Sequence, residues 1–135
     1  MRYLLDTNVC VMYLNGRSIS VRDRLRSVSI EEIVVCSLVK AELFYGAMRS
    51  NNPTQTLERQ QGFLESFASL PFDDGAAIIC GQIRAHLASA GTPIGAYDLQ
   101  IAAIALANNL TLVSHNTREF GRVDGLQIED WEVAV

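Results

Sequence analysis

The sequence IGAYDLQIAAIA, residues 94–105, begins in a turn that contains Pro93 and Gly95. Alanine and large aliphatic residues fill most of its later positions, which is the pattern of a helix buried in the core. One carboxylate, Asp98, lies in the first turn, where the partial positive charge and unpaired N–H groups of a helix N-terminus stabilise an anion. Asp98 either tunes this helix or belongs to a site, and the other acids of the chain decide between the two.

Four short apolar runs outside this helix predict strands at Tyr3–Leu5, Ile33–Cys36, Leu110–Val113 and Gln127–Ile128. Helical spacing elsewhere predicts helices over Val9–Leu14, Ser20–Ser27, Val39–Arg49, Thr54–Leu70 and Gly75–Ala90. Strands that alternate with helices form a parallel sheet covered on both faces. We therefore predict a three-layer α/β/α sandwich with a mainly parallel central sheet. Gly46, inside the third of these helices, predicts close packing against another element.

The composition indicates one ordinary globular domain over residues 1–135. Hydrophobic residues make up 49% of the chain and charged residues 19%, which excludes a disordered or fibrous protein. No apolar run approaches the ~20 residues of a membrane helix, so we expect no membrane association and a cytoplasmic location. Three cysteines, Cys10, Cys36 and Cys80, lack paired spacing and lie in apolar stretches, so we expect reduced core thiols.

The net charge of −4 argues against a general nucleic-acid binder that relies on a basic surface. The positive charges are nonetheless unevenly distributed, because Arg22, Arg24 and Arg26 fall close together. This cluster is either a local track for phosphates or the solvated face of a helix.

Acidic and amide side chains follow the predicted strands. Asp6 follows the first strand, Glu42 comes shortly after the second, and Asn116–Glu119 follow the third. The carboxyl ends of parallel strands meet at one edge of a sheet, so we expect these side chains to lie near Asp98. Clustered carboxylates without cysteine or histidine favour Mg²⁺ or Mn²⁺, and such ions assist phosphodiester hydrolysis.

Several polar residues beside these acids are expected in supporting roles. Asn8 is expected to orient the site, and Thr7 and Ser37 either orient the acids or cap helices. His115 is a candidate general base because it lies beside Asn116, although a lone histidine at a strand end is usually structural.

Five motifs occur in order along the chain: LLDTN at 4–8, AELFYG at 41–46, YDLQIAA at 97–103, NTREF at 116–120 and GLQIEDW at 125–131. Together they resemble the PIN-domain ribonucleases, and within them the VapC toxins of bacterial type II toxin–antitoxin pairs. The resemblance covers nearly the whole chain. It implies a magnesium-dependent endoribonuclease that cuts RNA, is inhibited by a cognate antitoxin and forms a homodimer. Asp6, Glu42 and Asp98 match the acidic catalytic and metal-binding positions of the family.

The fourth acidic position departs from the wider family. PIN domains often have an acid near the end of the last-but-one core strand, where this chain has Asn116. Glu119 could replace it as a catalytic and metal-binding acid, while Asn116 could ligate the metal or hydrogen-bond a ligand carboxylate or a metal-bound water. Glu119 could instead be a surface acid paired with Arg118 or Arg122. If Glu119 joins the metal site, both arginines are free to contact RNA phosphates.

Other function classes compete with a nuclease. A phosphoryl-transfer enzyme with an aspartyl nucleophile typically has a second acid two residues on, where this chain has Asn8. A receiver-type signalling domain needs a lysine after a late strand, but the only lysine is Lys40. The remaining alternative is a catalytically silent PIN-like module that binds RNA or protein. Such a module has no evident need for Asp6, Glu42 and Asp98 together, because neighbouring acids repel one another.

Overall fold

The computed structural model describes residues 1–133, and the last two residues of the predicted domain lie outside the described part. Its strands are β1 (Tyr3–Leu5), β2 (Ile33–Cys36), β3 (Ala68–Leu70), β4 (Thr111–Val113) and β5 (Ile128–Glu129). Its helices are α1 (Thr7–Leu14), α2 (Ile19–Ser27), α3 (Ser37–Met48), α4 (Pro53–Leu64), α5 (Asp74–Ser89), α6 (Ala96–Ala107) and α7 (Thr117–Phe120). A 3₁₀ turn, Ile30–Glu32, precedes β2.

The five strands form one sheet in the order β3-β2-β1-β4-β5, and every neighbouring pair is parallel. The chain builds the sheet outward from β1 to β3 and then returns to add β4 and β5 on the other side of β1. The direction therefore reverses between β1 and β4. In open parallel sheets, side chains at the carboxyl ends of the two strands that flank such a reversal line a crevice.

Helices cover the sheet in two groups. Helices α1 to α4 contact one another, whereas α5 packs chiefly on α6. Parallel crossovers are almost always right-handed, so the reversal of strand order places these two groups on opposite faces. The predicted α/β sandwich with a parallel sheet is confirmed. Helix α3 also contacts α6, and this contact joins the elements that carry Glu42 and Asp98.

Helix α6 forms the centre of the core, as its sequence predicted. Its residues Ile101–Ala105 are all buried, together with the three residues of β1. Trp131 is fully buried with its ring edge-to-face on Tyr3, at a centroid distance of 5.2 Å. The Arg24 guanidinium lies 5.2 Å from the Trp131 ring centroid and forms a 2.8 Å ion pair with Glu129. Arg24 therefore holds the C-terminal segment, and the interpretation of the arginine cluster as a phosphate track is wrong for this residue.

The predicted helix Thr54–Leu70 is wrong at its C-terminal end. Helix α4 ends at Leu64, and Ala68–Leu70 form β3, an edge strand that pairs with β2 from Val34 to Cys36. Phe67 still packs edge-to-face on Phe63, at a ring-centroid distance of 5.1 Å. The apolar spacing typical of a helix therefore continues past the residue at which α4 ends. Backbone pairing specifies this edge strand, because Ala68 and Ser69 are both exposed.

Two smaller predictions are also corrected. Gly46 is exposed, and a Cβ atom added there would meet no atom within 4 Å, so the expected close packing is wrong. Cys10 and Cys36 are buried, but Cys80 is partly exposed at the edge of the core; all three are free thiols. Among residues 1–133, no helix is both long enough and apolar enough to span a membrane.

Candidate active site

Asp6 lies where β1 ends and α1 begins. Its Oδ1 atom accepts a 3.0 Å hydrogen bond from the Val9 N–H and so caps α1, while its own N–H donates to the Val113 carbonyl of β4 at 3.1 Å. The residue is only 7% exposed. The pKa of Asp6 is raised to about 6. Burial is the largest cause and the charge of Asp98 adds to it, whereas hydrogen bonds from Ser114 and Val9 lower the pKa.

Glu42 lies in the second turn of α3 and contacts the start of α1. The Thr7 hydroxyl donates a 2.6 Å hydrogen bond to Glu42 Oε1, across 35 residues of sequence. Asn8 and Ser37, which were predicted to support the site together with Thr7, make no such contact. Among residues 1–133, neither Asn8 nor Ser37 has a side-chain hydrogen bond, and Cys36 rather than Ser37 occupies the cap position of α3. Thr7 is therefore the residue placed to orient Glu42.

Asp98, in the first turn of α6, lies between the acids of two other elements. Its partial burial raises its pKa, and the charges of Glu119 and then Glu42 raise the pKa further. A hydrogen bond with the Glu119 side chain raises the pKa of Asp98 as well. Since Asp98 also raises the pKa of Asp6, one electrostatically coupled group contains Asp6, Glu42, Asp98 and Glu119.

Asn116 and Glu119 contact each other directly. Asn116 Nδ2 donates to Glu119 Oε2 at 3.4 Å, and this places Glu119 beside the amide that occupies the family's usual acidic position. The alternative of a surface ion pair is not found, since within residues 1–133 Glu119 pairs with neither Arg118 nor Arg122.

Ser114 is a site residue that the sequence analysis missed. It is fully buried at the end of β4, where its hydroxyl hydrogen-bonds Asp6 and accepts a 3.0 Å hydrogen bond from the Asn116 N–H. One hydroxyl thus joins the two strand ends that flank the reversal of strand order. Ser114 could have been identified in the sequence as a serine at the end of an otherwise apolar strand, directly before His115 and Asn116.

The two arginines beside Glu119 have different surroundings. Arg118 is exposed, and no hydrogen bond or ion pair of its side chain occurs in the described part of the chain. Arg122 is partly buried, and its Nη1 donates to the Pro93 carbonyl at 3.2 Å.

His115 belongs to a second cluster, in the C-terminal segment, and the charge of Glu132 in this cluster also raises the pKa of Asp6. Its Nδ1 lies 2.9 Å from Asp130 Oδ2 and 3.8 Å from Glu132 Oε2, and the hydrogen bond with Asp130 together with these charges raises the pKa of His115. Ligand atoms of these three residues lie within 4.8 Å of one another. Within residues 1–133, no three of the predicted acids have ligand atoms this close to one another. His115 therefore has a structural partner in the ion pair.

The predicted acids fit a hard divalent cation. The atoms that these acids offer to a metal ion are all carboxylate oxygens, and Asn116 adds an amide oxygen. An all-oxygen set suits Mg²⁺ or Mn²⁺. No arginine or lysine within residues 1–133 forms an ion pair with Asp6, Glu42, Asp98 or Glu119. Burial, and then the charges of neighbouring acids, raise the pKa values of Asp6 and Asp98.

Comparisons with known proteins give the family. The family model described as "PIN domain" matches residues 3–126. A "tRNA(fMet)-specific endonuclease VapC" from Shigella flexneri is 40% identical over 131 residues, covering 97% of this chain and 98% of the relative. The protein of the same name from Salmonella typhimurium is 39% identical over 131 residues with the same coverage.

Solved structures agree with the sequence relatives. A crystal structure of DNA-bound VapBC from Salmonella typhimurium contains a chain that is 39% identical and superposes with a TM-score of 0.91. The match covers 97% of this chain and 98% of that one. The chain therefore belongs to the PIN-domain family and, within it, to the group of the VapC proteins.

Proposed function

We propose that this protein is a metal-dependent endoribonuclease that hydrolyses RNA phosphodiester bonds and acts as the toxin of a toxin–antitoxin pair. One observation carries the proposal. Asp6, Glu42, Asp98 and Glu119 come from four separate elements and form one coupled group beside the reversal of strand order. The names of the VapC relatives, which are endonucleases and ribonucleases, support the same reaction.

The four acids would hold Mg²⁺, or Mn²⁺ in its place, with Asn116 as a further oxygen donor. When bound, such an ion supplies the positive charge that activates water and stabilises the leaving oxygen of a phosphodiester. The chain's own residues prepare this site. Thr7 fixes Glu42 through its 2.6 Å hydrogen bond, and the buried Ser114 hydroxyl fixes Asp6 relative to Asn116. These contacts hold the ligands in place before a cation arrives.

RNA binding would depend on local positive charge, because the molecule as a whole is acidic. Arg118 projects from α7 one residue before Glu119, is exposed, and is the better placed of the two arginines predicted to contact phosphates. Arg122 was predicted for the same role, but one of its donors already serves Pro93.

The proposed partners follow from the relatives. The related structures include VapBC complexes, so we propose a cognate antitoxin that inhibits this chain. We also propose that the protein forms a homodimer. Its location is proposed to be cytoplasmic, because RNA substrates occur there and cysteine thiols stay reduced.

The test is to incubate the purified protein with transfer, ribosomal and messenger RNAs in Mg²⁺, in Mn²⁺ and in excess chelator. We expect cleavage of at least one RNA class with either ion and none in chelator. RNA binding without cleavage in either ion would favour the catalytically silent module instead. Cleavage that persists in chelator would contradict metal dependence.

A further inference from the structure

The end of α7 and the turn that follows it pack against the hairpin formed by α5 and α6. Phe120 and Val123 are buried in the core, at 1% and 4% exposure. Two polar contacts reach the hairpin from the same turn. Arg122 Nη1 donates to the Pro93 carbonyl at 3.2 Å, and Asp124 Oδ2 lies 3.3 Å from His86 Nε2 on α5.

The Arg122 contact joins the two elements that carry Asp98 and Glu119. Pro93 precedes Asp98 by five residues, in the segment that leads into α6, and Arg122 follows Glu119 by three. The Arg122 N–H also donates to the Glu119 carbonyl at 3.1 Å, which fixes the arginine to the turn that presents Glu119. Within residues 1–133, no other hydrogen bond connects residues 92–97 to residues 117–125.

A connection is needed at this point because the two acids repel each other when both are ionised. That repulsion would move α7 away from the start of α6. The buried side chains Phe120 and Val123 and the contact of Asp124 with His86 oppose such a movement. The Arg122 guanidinium opposes it at the segment that leads into α6, through its hydrogen bond to the Pro93 carbonyl.

We propose that Arg122 is a positioning residue that sets the spacing of Asp98 and Glu119, and through it the affinity of the site for a divalent cation. This assignment rests on the proposed metal-dependent function. It differs from the predicted contact with RNA, because it requires the arginine to act when no RNA is bound.

The test measures cation binding without RNA. Mn²⁺ binding is followed by loss of the electron paramagnetic resonance signal of the free ion, for wild type, Arg122→Ala, Arg122→Lys and Arg118→Ala. Loss of one hydrogen bond corresponds to about a fivefold change in an equilibrium constant. We expect Arg122→Ala to weaken Mn²⁺ binding by about that factor and Arg122→Lys to recover part of it, since an ammonium can still donate to Pro93. Arg118→Ala should bind Mn²⁺ as wild type does but show a raised KM for RNA.

Thermal unfolding of the same variants separates positioning from general stability. Arg122→Ala with wild-type Mn²⁺ affinity would overturn the assignment, whether its thermal midpoint falls or its KM for RNA rises as in Arg118→Ala. A wild-type protein that bound no Mn²⁺ would overturn the proposed metal-dependent function as well. Wild-type binding and cleavage with an unaffected Arg122→Ala would overturn this assignment alone.

Discussion

Glu119 and Asn116 share one corner of the site and differ by one negative charge. Their side chains contact each other at 3.4 Å, and Glu119 also lies against Asp98. An amide oxygen can ligate a hard cation but adds no charge, whereas a carboxylate offsets part of the charge of the ion. At the residue scale, Glu119 is therefore the stronger candidate for the fourth ligand, with Asn116 holding its carboxylate in place.

This assignment predicts different responses to Mg²⁺ in two variants. Glu119→Gln should raise the Mg²⁺ concentration for half-maximal RNA cleavage by about tenfold or more, because it removes an anionic ligand while preserving shape. Asn116→Ala should have a smaller effect. If Glu119→Gln cuts normally at limiting Mg²⁺ while Asn116→Ala fails, the site instead consists of Asp6, Glu42, Asp98 and Asn116.

Most of these acids could be predicted from the sequence because they lie at or near the ends of predicted strands. Asp6 and the Asn116–Glu119 stretch directly follow apolar runs, and parallel topology brings such positions to one edge. Ser114 was missed because a single serine carries no signal until its burial and its contact with Asp6 are known. The Thr7–Glu42 hydrogen bond links positions 35 residues apart, so its geometry depends on how α1 packs on α3.

At the scale of elements, buried strands were easier to predict than β3, the exposed edge strand. β1 and β2 are fully buried and consist of apolar residues, so hydrophobicity identifies them. β3 is mostly exposed and gains its stability from backbone hydrogen bonds to β2, which leave no mark on side-chain composition. The contact of Phe67 with Phe63 then extended the apparent helical pattern past the true end of α4.

Two glycines in or beside helices should respond oppositely to alanine. At Gly46, on the exposed side of α3, an added Cβ would meet no atom within 4 Å. Gly46→Ala should therefore stabilise the protein by ~0.5–1 kcal/mol, since alanine loses less conformational entropy in a helix. At Gly121, which ends α7, the Cβ would lie 2.6 Å from the Thr117 carbonyl oxygen, so Gly121→Ala should destabilise by ~1–3 kcal/mol.

Urea unfolding midpoints of both variants check these signs. Because α7 carries Glu119, the strain at Gly121 should also weaken Mn²⁺ binding, whereas Gly46→Ala should leave it unchanged. A Gly121→Ala protein as stable as wild type would show that α7 adjusts freely and does not hold Glu119 in a fixed position.

At the scale of the whole molecule, the apolar surface of α5 bears on assembly. Ile78 is 65% exposed in the single chain, and Ile79 and Ile83 on the same helix are only partly buried. The predicted homodimer would cover part of this surface. Light scattering at micromolar concentration should give twice the monomer mass of 14.9 kDa. Ile78→Glu should shift the protein toward monomer with an unchanged circular dichroism spectrum, and a monomeric wild type would contradict the homodimer.

The central claim is that four acids from separate elements form a metal site that cuts RNA, and Asp98 lies at the centre of that group. The most direct measurement compares cleavage of a labelled RNA by wild type and Asp98→Asn over a Mg²⁺ titration, with circular dichroism to verify folding. Metal ions supply several kcal/mol of transition-state stabilisation, so we expect Asp98→Asn to fold normally but cut about 100-fold or more slowly. Full cleavage by Asp98→Asn, or by wild type in excess chelator, would contradict the account.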